Sequence, residues 1–268
     1  MSSVDFQRIE TEFRALALLA GDVIMGIYDG PDFEIRSKSD DSPVTAADEA
    51  ADAVISAGLA RAFPGVAVVT EEQAQSHSVT ADSFIIVDPL DGTKEFINRR
   101  GDFTVNIAYV EKGVPLRGVV YAPAKGRLFY TRADGVSVEE TGPFAVETRS
   151  TLTQLQLRKA DMGAVLVVAS KSHRDQATDA YINRYNVADM RSAGSSLKFC
   201  LVATGEADLY PRLGRTMEWD TAAGDAVLRG AGGRVVTFAG HDVLAYGKPG
   251  FENPFFIAAS PTVELLQG

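Results

Sequence analysis

Phe84, Ile85, Ile86 and Val87 run without a polar break into Asp88-Pro89-Leu90-Asp91-Gly92-Thr93. So short an apolar run reads as a strand that ends on two acids. Pro89 fixes the backbone, and Gly92 permits a tight turn that brings both carboxylates and the Leu90 carbonyl to one side. Oxygen ligands held that way suit a hard cation. The same residues are also a good turn sequence on structural grounds alone.

Around this run the chain has a readable rhythm. Phe6, Ile9, Phe13, Leu16, Ala20, Val23 and Ile27 recur at spacings of three and four, which predicts an amphipathic helix closed by Gly30-Pro31. Thr45, with Asp48 three residues on, predicts the capping box of a second helix. Its inner face is Ala47, Ala51, Val54, Ile55, Leu59 and Ala62, and Pro64 stops it. Strands are expected at 66–69, 84–87, 103–110, 114–121 and 127–130, with Glu111-Lys112-Gly113 as a hairpin turn joining an antiparallel pair. Beyond residue 150 the order becomes a strand at 165–168, a helix near 175–185, a helix at 195–204, a strand at 207–210 and a helix after Asp220. That alternation predicts a smaller α/β half. The polar stretch 148–163 is the expected boundary, giving an α+β unit at 1–152 and an α/β unit at 153–268. Gly230-Ala231-Gly232-Gly233 follows a helix and precedes the strand 234–236, the reverse of a dinucleotide loop, so a helix C-cap is expected there.

Charge narrows the function. Residues 1–100 carry 18 acids and 8 bases, a net of −10, whereas the remaining residues carry 18 of each. A chain so acidic is a poor candidate for nucleic acid, which needs a basic surface. It can still take an anion where bound metal ions invert the local sign. One cysteine, Cys200, excludes an internal disulfide framework and fits a reducing cytoplasm. Three scattered histidines offer no His/Cys zinc site. The first residues carry Asp5, Arg8, Glu10, Glu12 and Arg14, which break any apolar signal core. The apolar runs are too short to cross a bilayer.

Two further acidic positions bear on Asp88. Glu71-Glu72 stands at the end of the preceding strand, where a neighbouring strand would place it beside Asp88. Two bare carboxylates about 4 Å apart repel by roughly 4 kcal/mol at an effective dielectric near 20. Either the pair points into solvent or it helps form a metal site. Trp219-Asp220 precedes the Ala-rich helix 221–229, where a lone Asp can serve as a cap.

Taken together, these residues resemble the lithium-sensitive, magnesium-dependent phosphatases that include inositol monophosphatases, fructose-1,6-bisphosphatases and bisphosphate nucleotidases. The likeness is carried by Ser42-Pro43-Val44-Thr45-Ala46-Ala47-Asp48, Glu71-Glu72, residues 88–96, residues 103–108, residues 194–199 and residues 219–224. Lys94-Glu95-Phe96, Gly194-Ser195-Ser196-Leu197-Lys198-Phe199 and Trp219-Asp220-Thr221-Ala222-Ala223-Gly224 make it most similar to the bacterial bisphosphate nucleotidase branch. The resemblance implies a layered α/β/α/β/α sandwich with the active site between the two halves. It implies hydrolysis of the 3'-phosphate of adenosine 3',5'-bisphosphate to AMP, within sulfur assimilation. The alternative is an inositol monophosphatase or a broad-specificity sugar phosphatase.

By the same resemblance Glu71, Asp88 and the Leu90 carbonyl hold one Mg2+, while Asp88, Asp91 and Asp220 hold a second, for two or three ions in all. Glu71 and Thr93 hold the attacking water, and Thr93, with Asp48 behind it, takes the water's proton. The Gly92 and Thr93 amides and Lys94 bind phosphate. His173, Ser195, Lys198, Arg212 and Asp220 contact the nucleotide. On the residues alone Ser195 reads equally as a helix cap, Lys198 and Arg212 as surface charges, and His173 as a structural histidine. Lys38 resembles a lysine near the site and reads as readily as a solvated side chain. The expected partner is a small nucleotide and not a nucleic acid. The setting is cytoplasmic, with weak peripheral membrane association and the choice of monomer or homodimer left open.

Overall fold

In the computed structural model, residues 5–30, 36–37, 43–170, 172 and 174–267 are described. Two helices pack side by side, α1 (Phe6–Tyr28) and α2 (Ala46–Ala62). The α1 helix begins at Asp5, whose side chain accepts from the Gln7 amide. The α2 helix begins at the expected capping box: Thr45 caps it, and Asp48 reaches back to the Thr45 amide at 2.8 Å. A two-residue ladder, β1 (Arg36–Ser37) with β2 (Pro43–Val44), leads into α2.

The first large sheet has seven strands in simple sequence order. They are β3 (Ala67–Thr70), β4 (Ser83–Asp91), β5 (Thr104–Glu111), β6 (Val114–Ala122), β7 (Arg127–Thr131), β8 (Ser137–Thr141) and β9 (Thr151–Gln154). The β3–β4 pair is parallel and the other pairs are antiparallel. Lys112 (φ 49°) and Gly113 (φ 77°) form the expected hairpin turn between β5 and β6. Both faces of this sheet are covered, so its central strands carry apolar residues on both faces. On β4 and β5, Ile85, Val87, Val105, Ile107 and Tyr109 meet α1 and α2. The intervening Phe84, Ile86, Ala108 and Val110 meet the second half.

The second half holds β10 (Val165–Ser170), α4 (Gln176–Ile182), β11 (Val187–Ala193), α5 (Leu197–Ala203), β12 (Leu209–Arg212), α6 (Ala222–Gly230), β13 (Arg234–Thr237) and β14 (Phe256–Ala259). Its five-stranded sheet runs β11-β10-β12-β14-β13. The α5 and α6 helices lie between the two sheets. The α4 helix packs on the outer side of the second sheet. The layers are therefore α1/α2, sheet, α5/α6, sheet, α4, the expected α/β/α/β/α sandwich. The packing of α6 on β6 is close at Gly118, where a Cβ would lie 2.7 Å from the Ala223 carbonyl oxygen. Gly232 (φ 92°) follows the α6 cap at Ala231, as the glycine-rich stretch predicts.

Candidate active site

The parallel pairing of β3 and β4 sets Thr70 opposite Val87. Glu71 therefore follows directly alongside Asp88, and its amide donates to the Val87 carbonyl at 3.1 Å. The Asp88–Asp91 segment departs from the tight turn expected of it. It is the bulged end of β4, with Asp88 opposite Asn106 and Asp91 opposite Thr104. Residues three apart on a regular strand face opposite ways. Three steps on β4 against two on β5 absorb the extra residue, which lets both carboxylates serve one side. The turn itself comes at Gly92, in the left-handed region at φ 96°.

Asp220 arrives from the other half, two residues ahead of α6, with its Oδ2 accepting from the Met217 amide at 2.8 Å. One oxygen each from Glu71, Asp88 and Asp220 can be chosen so that all lie within 4.8 Å of one another. Burial, then the charges of Asp91 and Glu71, hold the Asp220 carboxyl well above the usual range. Burial also pushes Asp91 up to about 6, against the downward pull of Lys198, the Ser196 amide and Asn106. Carboxylates crowded to that extent are relieved by a cation, and an all-oxygen set suits a hard divalent ion. Asp91 stands beside the trio rather than in it. Its Oδ2 accepts from the Ser196 amide at 2.6 Å and from Asn106 Nδ2 at 3.2 Å.

Thr93 opens the short helix α3 (Thr93–Ile97) and places its hydroxyl 3.2 Å from Asp48 Oδ1 and 3.4 Å from the Leu90 carbonyl. The other Asp48 oxygen is committed to the Thr45 amide and hydroxyl. The α2 cap thus also aims a buried carboxylate at Thr93.

Glu71, Asp88, Leu90, Asp91, Thr93 and Asp220 border one cleft of about 990 Å³, and Asp48 does not line it. Lys198 and Arg212 reach the cleft from α5 and β12. Neither is a surface charge, at 4% and 8% exposure. Lys198 Nζ donates to the Ser195 carbonyl at 2.5 Å and sits over the Tyr210 ring, 5.3 Å from its centre. Burial brings the amine down to about 8. Ser195 lines the cleft at φ 50°, and Ser196, not Ser195, is the cap residue of α5. Gly194 keeps this turn tight, since a Cβ there would lie 2.7 Å from Glu95 Cγ. Gly92 and the exposed Lys94 complete the rim. His173 and Lys38 lie outside the described residues.

Several residues at the site were given no role from the sequence, although Asn106, Ser196 and Glu95 lie in segments that carry the family resemblance. Asn106 donates both to Asp91 and to Ser196 Oγ, and Ser196 Oγ donates on to the Asp220 carbonyl at 2.6 Å. A polar Asn106 inside an apolar strand was a further cue. Glu95 is a buried carboxylate on the cleft wall that accepts from Ser172. Asp52 accepts from Thr70 Oγ1 at 2.5 Å and from Gln73 Nε2 at 2.7 Å, tying the Glu71 turn to α2.

Known proteins resemble this chain over most of its length. The sequence profile of the inositol monophosphatase family matches residues 5–263. The 3'(2'),5'-bisphosphate nucleotidase CysQ of Escherichia coli K12 is 46% identical over 245 residues, 90% of this chain and 95% of that protein. CysQ of Salmonella typhimurium is 45% identical over 244 residues, with the same two shares. The crystal structure of CysQ from Bacteroides thetaiotaomicron, described as a bacterial member of the inositol monophosphatase family, superposes with a TM-score of 0.84. It is 39% identical and covers 97% of this chain and 99% of its own.

Proposed function

The chain belongs to the inositol monophosphatase family, and from that premise we propose that it is a 3'(2'),5'-bisphosphate nucleotidase that converts adenosine 3',5'-bisphosphate to AMP and phosphate. The observation that carries this reading is the make-up of the cleft: Glu71, Asp88 and Asp220 converge in it, while buried Lys198 and Arg212 border the same space. A substrate with two phosphates matches that division. The phosphate to be cleaved meets the acids through cations, and the one to be kept meets the basic side chains. The nucleotidase relatives, 45–46% identical over nine-tenths of the chain, support the same substrate class.

Magnesium is the proposed ion, two or three per chain, held by Glu71, Asp88, the Leu90 carbonyl, Asp91 and Asp220. When bound it supplies positive charge that acidifies a water and steadies the oxygens of the phosphate under attack. The chain's own part follows from its hydrogen bonds. The Thr93 hydroxyl proton is directed at Asp48 Oδ1, which leaves an Oγ lone pair to accept a proton from a water held beside Glu71. Asp48, fixed by Thr45, is the onward acceptor. Lys94 with the Gly92 and Thr93 amides steadies the phosphate to be cleaved. Ser195, Lys198, Arg212 and His173 are assigned to the nucleotide and its retained phosphate. The expected boundary between 1–152 and 153–268 cuts through β9, whose four residues Thr151–Gln154 all belong to the first sheet, so the proposed division falls after that strand. No helix among the described residues is long and apolar enough to cross a membrane, and a cytoplasmic setting within sulfur assimilation is part of the proposal.

The test is phosphate release from adenosine 3',5'-bisphosphate, inositol 1-phosphate and fructose 1,6-bisphosphate, each with magnesium and with a chelator. The expected result is magnesium-dependent release, fastest from the nucleotide. Release from inositol 1-phosphate but not from the nucleotide would overturn the assignment.

A further inference from the structure

Glu71 and Asp220 come from different halves of the molecule, and one side chain touches the chain immediately before each of them. His77 lies in a short 3-10 helix, Ala74–Ser78, just past the Glu71-Glu72 pair. Its Nε2–H donates at 2.9 Å to the carbonyl of Thr70, the residue before Glu71. Its ring stacks on Trp219, the residue before Asp220, with centroids 4.7 Å apart and planes 25° from parallel. We propose that His77 is a positioning residue that sets the spacing of Glu71 and Asp220 across the cleft and so tunes the affinity of the acidic cluster for a divalent cation. This rests on reading that cluster as a cation site.

The bonds described for the neighbouring Thr70 and Gln73 stay within the first half. The Thr70 hydroxyl and Gln73 hold to Asp52, and the Thr70 amide holds to Ser76 Oγ at 3.1 Å. All of these partners belong to the first half, so they fix the shape of the turn and leave its distance from Asp220 open. His77 spans that distance. Trp219 also lies 6.3 Å from the Phe251 ring, which in turn meets Phe84 of β4. The indole thus contacts the rings of both His77 and Phe251, and a stacked contact restrains the separation of two planes. Like charges at the cluster push the acids apart when no cation is present. A clamp that resists the push pre-organises the site, so the cation spends less of its binding energy on gathering its ligands. Groups that orient metal ligands without touching the metal characteristically change affinity by 10- to 100-fold.

The experiment titrates Mn2+ alone into the full chain and reads free Mn2+ by electron paramagnetic resonance. Quenching of Trp219, the one tryptophan in the sequence, gives a second readout. The variants are His77→Ala, His77→Phe, which keeps a stacking ring, His77→Gln, which keeps a donor, and Glu71→Gln. His77→Ala is expected to weaken Mn2+ binding about tenfold, with a smaller loss in the Phe and Gln variants. The thermal midpoint of the metal-free protein should stay level or rise, because the acids are freed to separate. Unchanged Mn2+ affinity in His77→Ala alongside weakened binding in Glu71→Gln would overturn the positioning role. Unchanged binding in Glu71→Gln would instead overturn the cation site on which it rests. A fall in melting temperature with Mn2+ affinity intact would mark His77 as merely structural. Should the Ala variant fail to fold, undiminished affinity in both the Phe and Gln variants would count equally against the proposal.

Discussion

Replacing Asp220 by Asn should make the metal-free protein more stable while disabling it. In the metal-free state Asp220 has an oxygen within 4.8 Å of carboxylate oxygens of both Glu71 and Asp88. At that distance and an effective dielectric near 20, each fully charged pair costs about 3.5 kcal/mol. Protonation caps the penalty, because burial and the neighbouring acids already hold Asp220 well above the usual carboxylate range. The net relief expected from removing the charge is therefore about 1–3 kcal/mol. Asparagine has the same shape, and its oxygen can still accept from the Met217 amide, so no hydrogen bond need be lost. In chelator the variant should melt about 2–10 °C higher. Magnesium should raise the midpoint of the natural chain and leave that of the variant nearly unmoved. Turnover should fall by roughly 100-fold or more if a metal ligand has been removed. The sign with pH follows from the raised value. The folded state holds the Asp220 proton more tightly than the unfolded state, so the penalty is absent in acid and grows as pH rises toward the folded-state value. The advantage of the variant should shrink on acidification. Calorimetry with and without magnesium reads all of this. A lower midpoint in chelator, or an equal magnesium shift in both proteins, would refute the reasoning.

Three other substitutions probe separate parts of the structure. Thr93→Val keeps the shape but removes the hydroxyl 3.2 Å from Asp48; kcat should drop about 100-fold with little change in KM, and intact kcat in a steady-state assay would exclude this proton path. Glu140→Gln removes the counter-charge of the buried Arg14 guanidinium, which makes bonds of 2.7 and 2.6 Å to Glu140 and keeps those to the Ala145, Val146 and Thr148 carbonyls, and should cost about 3 kcal/mol in urea denaturation. Burial opposes ionisation of Glu140, but Arg14 and the Ser150 amide overcome it and hold the carboxyl below its usual value, so the gap between the two proteins should close as pH falls below about 4. Gly118→Ala drives a methyl to 2.7 Å from the Ala223 carbonyl and 2.9 Å from Ala226 Cβ; the forced shift of α6 should cost about 1–3 kcal/mol by the same measurement, and a neutral effect would mean that this layer yields more easily than its packing implies.

What the sequence made legible was local. The α1 period, the Thr45 capping box and the Lys112-Gly113 hairpin each depend on residues a few positions apart, and each formed as expected. Six strands escaped notice, the two-residue β1 and β2 and four longer ones, because pairing rather than their own pattern defines them. The β9 strand, Thr-Leu-Thr-Gln, is exposed throughout, and β11 is exposed along most of its length, so neither has an apolar face to betray it. The β8 strand pairs between β7 and β9, and β14 between β12 and β13. The acids Asp88 and Asp91 were visible in the sequence, but the bulge that aligns them depends on the register with β5. In the same way, Asp91 meets the amide of Ser196 across 105 positions, and no local pattern announces that.

The composition of the cleft also fixes an order of events that can be measured. Its lining includes eight acids (Glu49, Asp52, Glu71, Glu72, Asp88, Asp91, Glu95 and Asp220) against four bases (Lys94, Lys198, Arg212 and Arg215), a formal charge of −4. Seven of those acids come from the first hundred residues, so much of the excess acid there serves the cleft rather than solubility. A phosphate entering such a space is repelled until cations lie in it, and two divalent ions would cancel the deficit. Cation and anion must then bind with positive coupling. Inorganic phosphate titrated by calorimetry should bind far more tightly with magnesium than in chelator. By linkage, saturating phosphate should raise the magnesium affinity by the same factor. Phosphate affinity indifferent to magnesium would mean that Lys198, Arg212 and their neighbours already suffice for the anion. The acids of Glu71, Asp88 and Asp220 would then have to be explained by something other than phosphate.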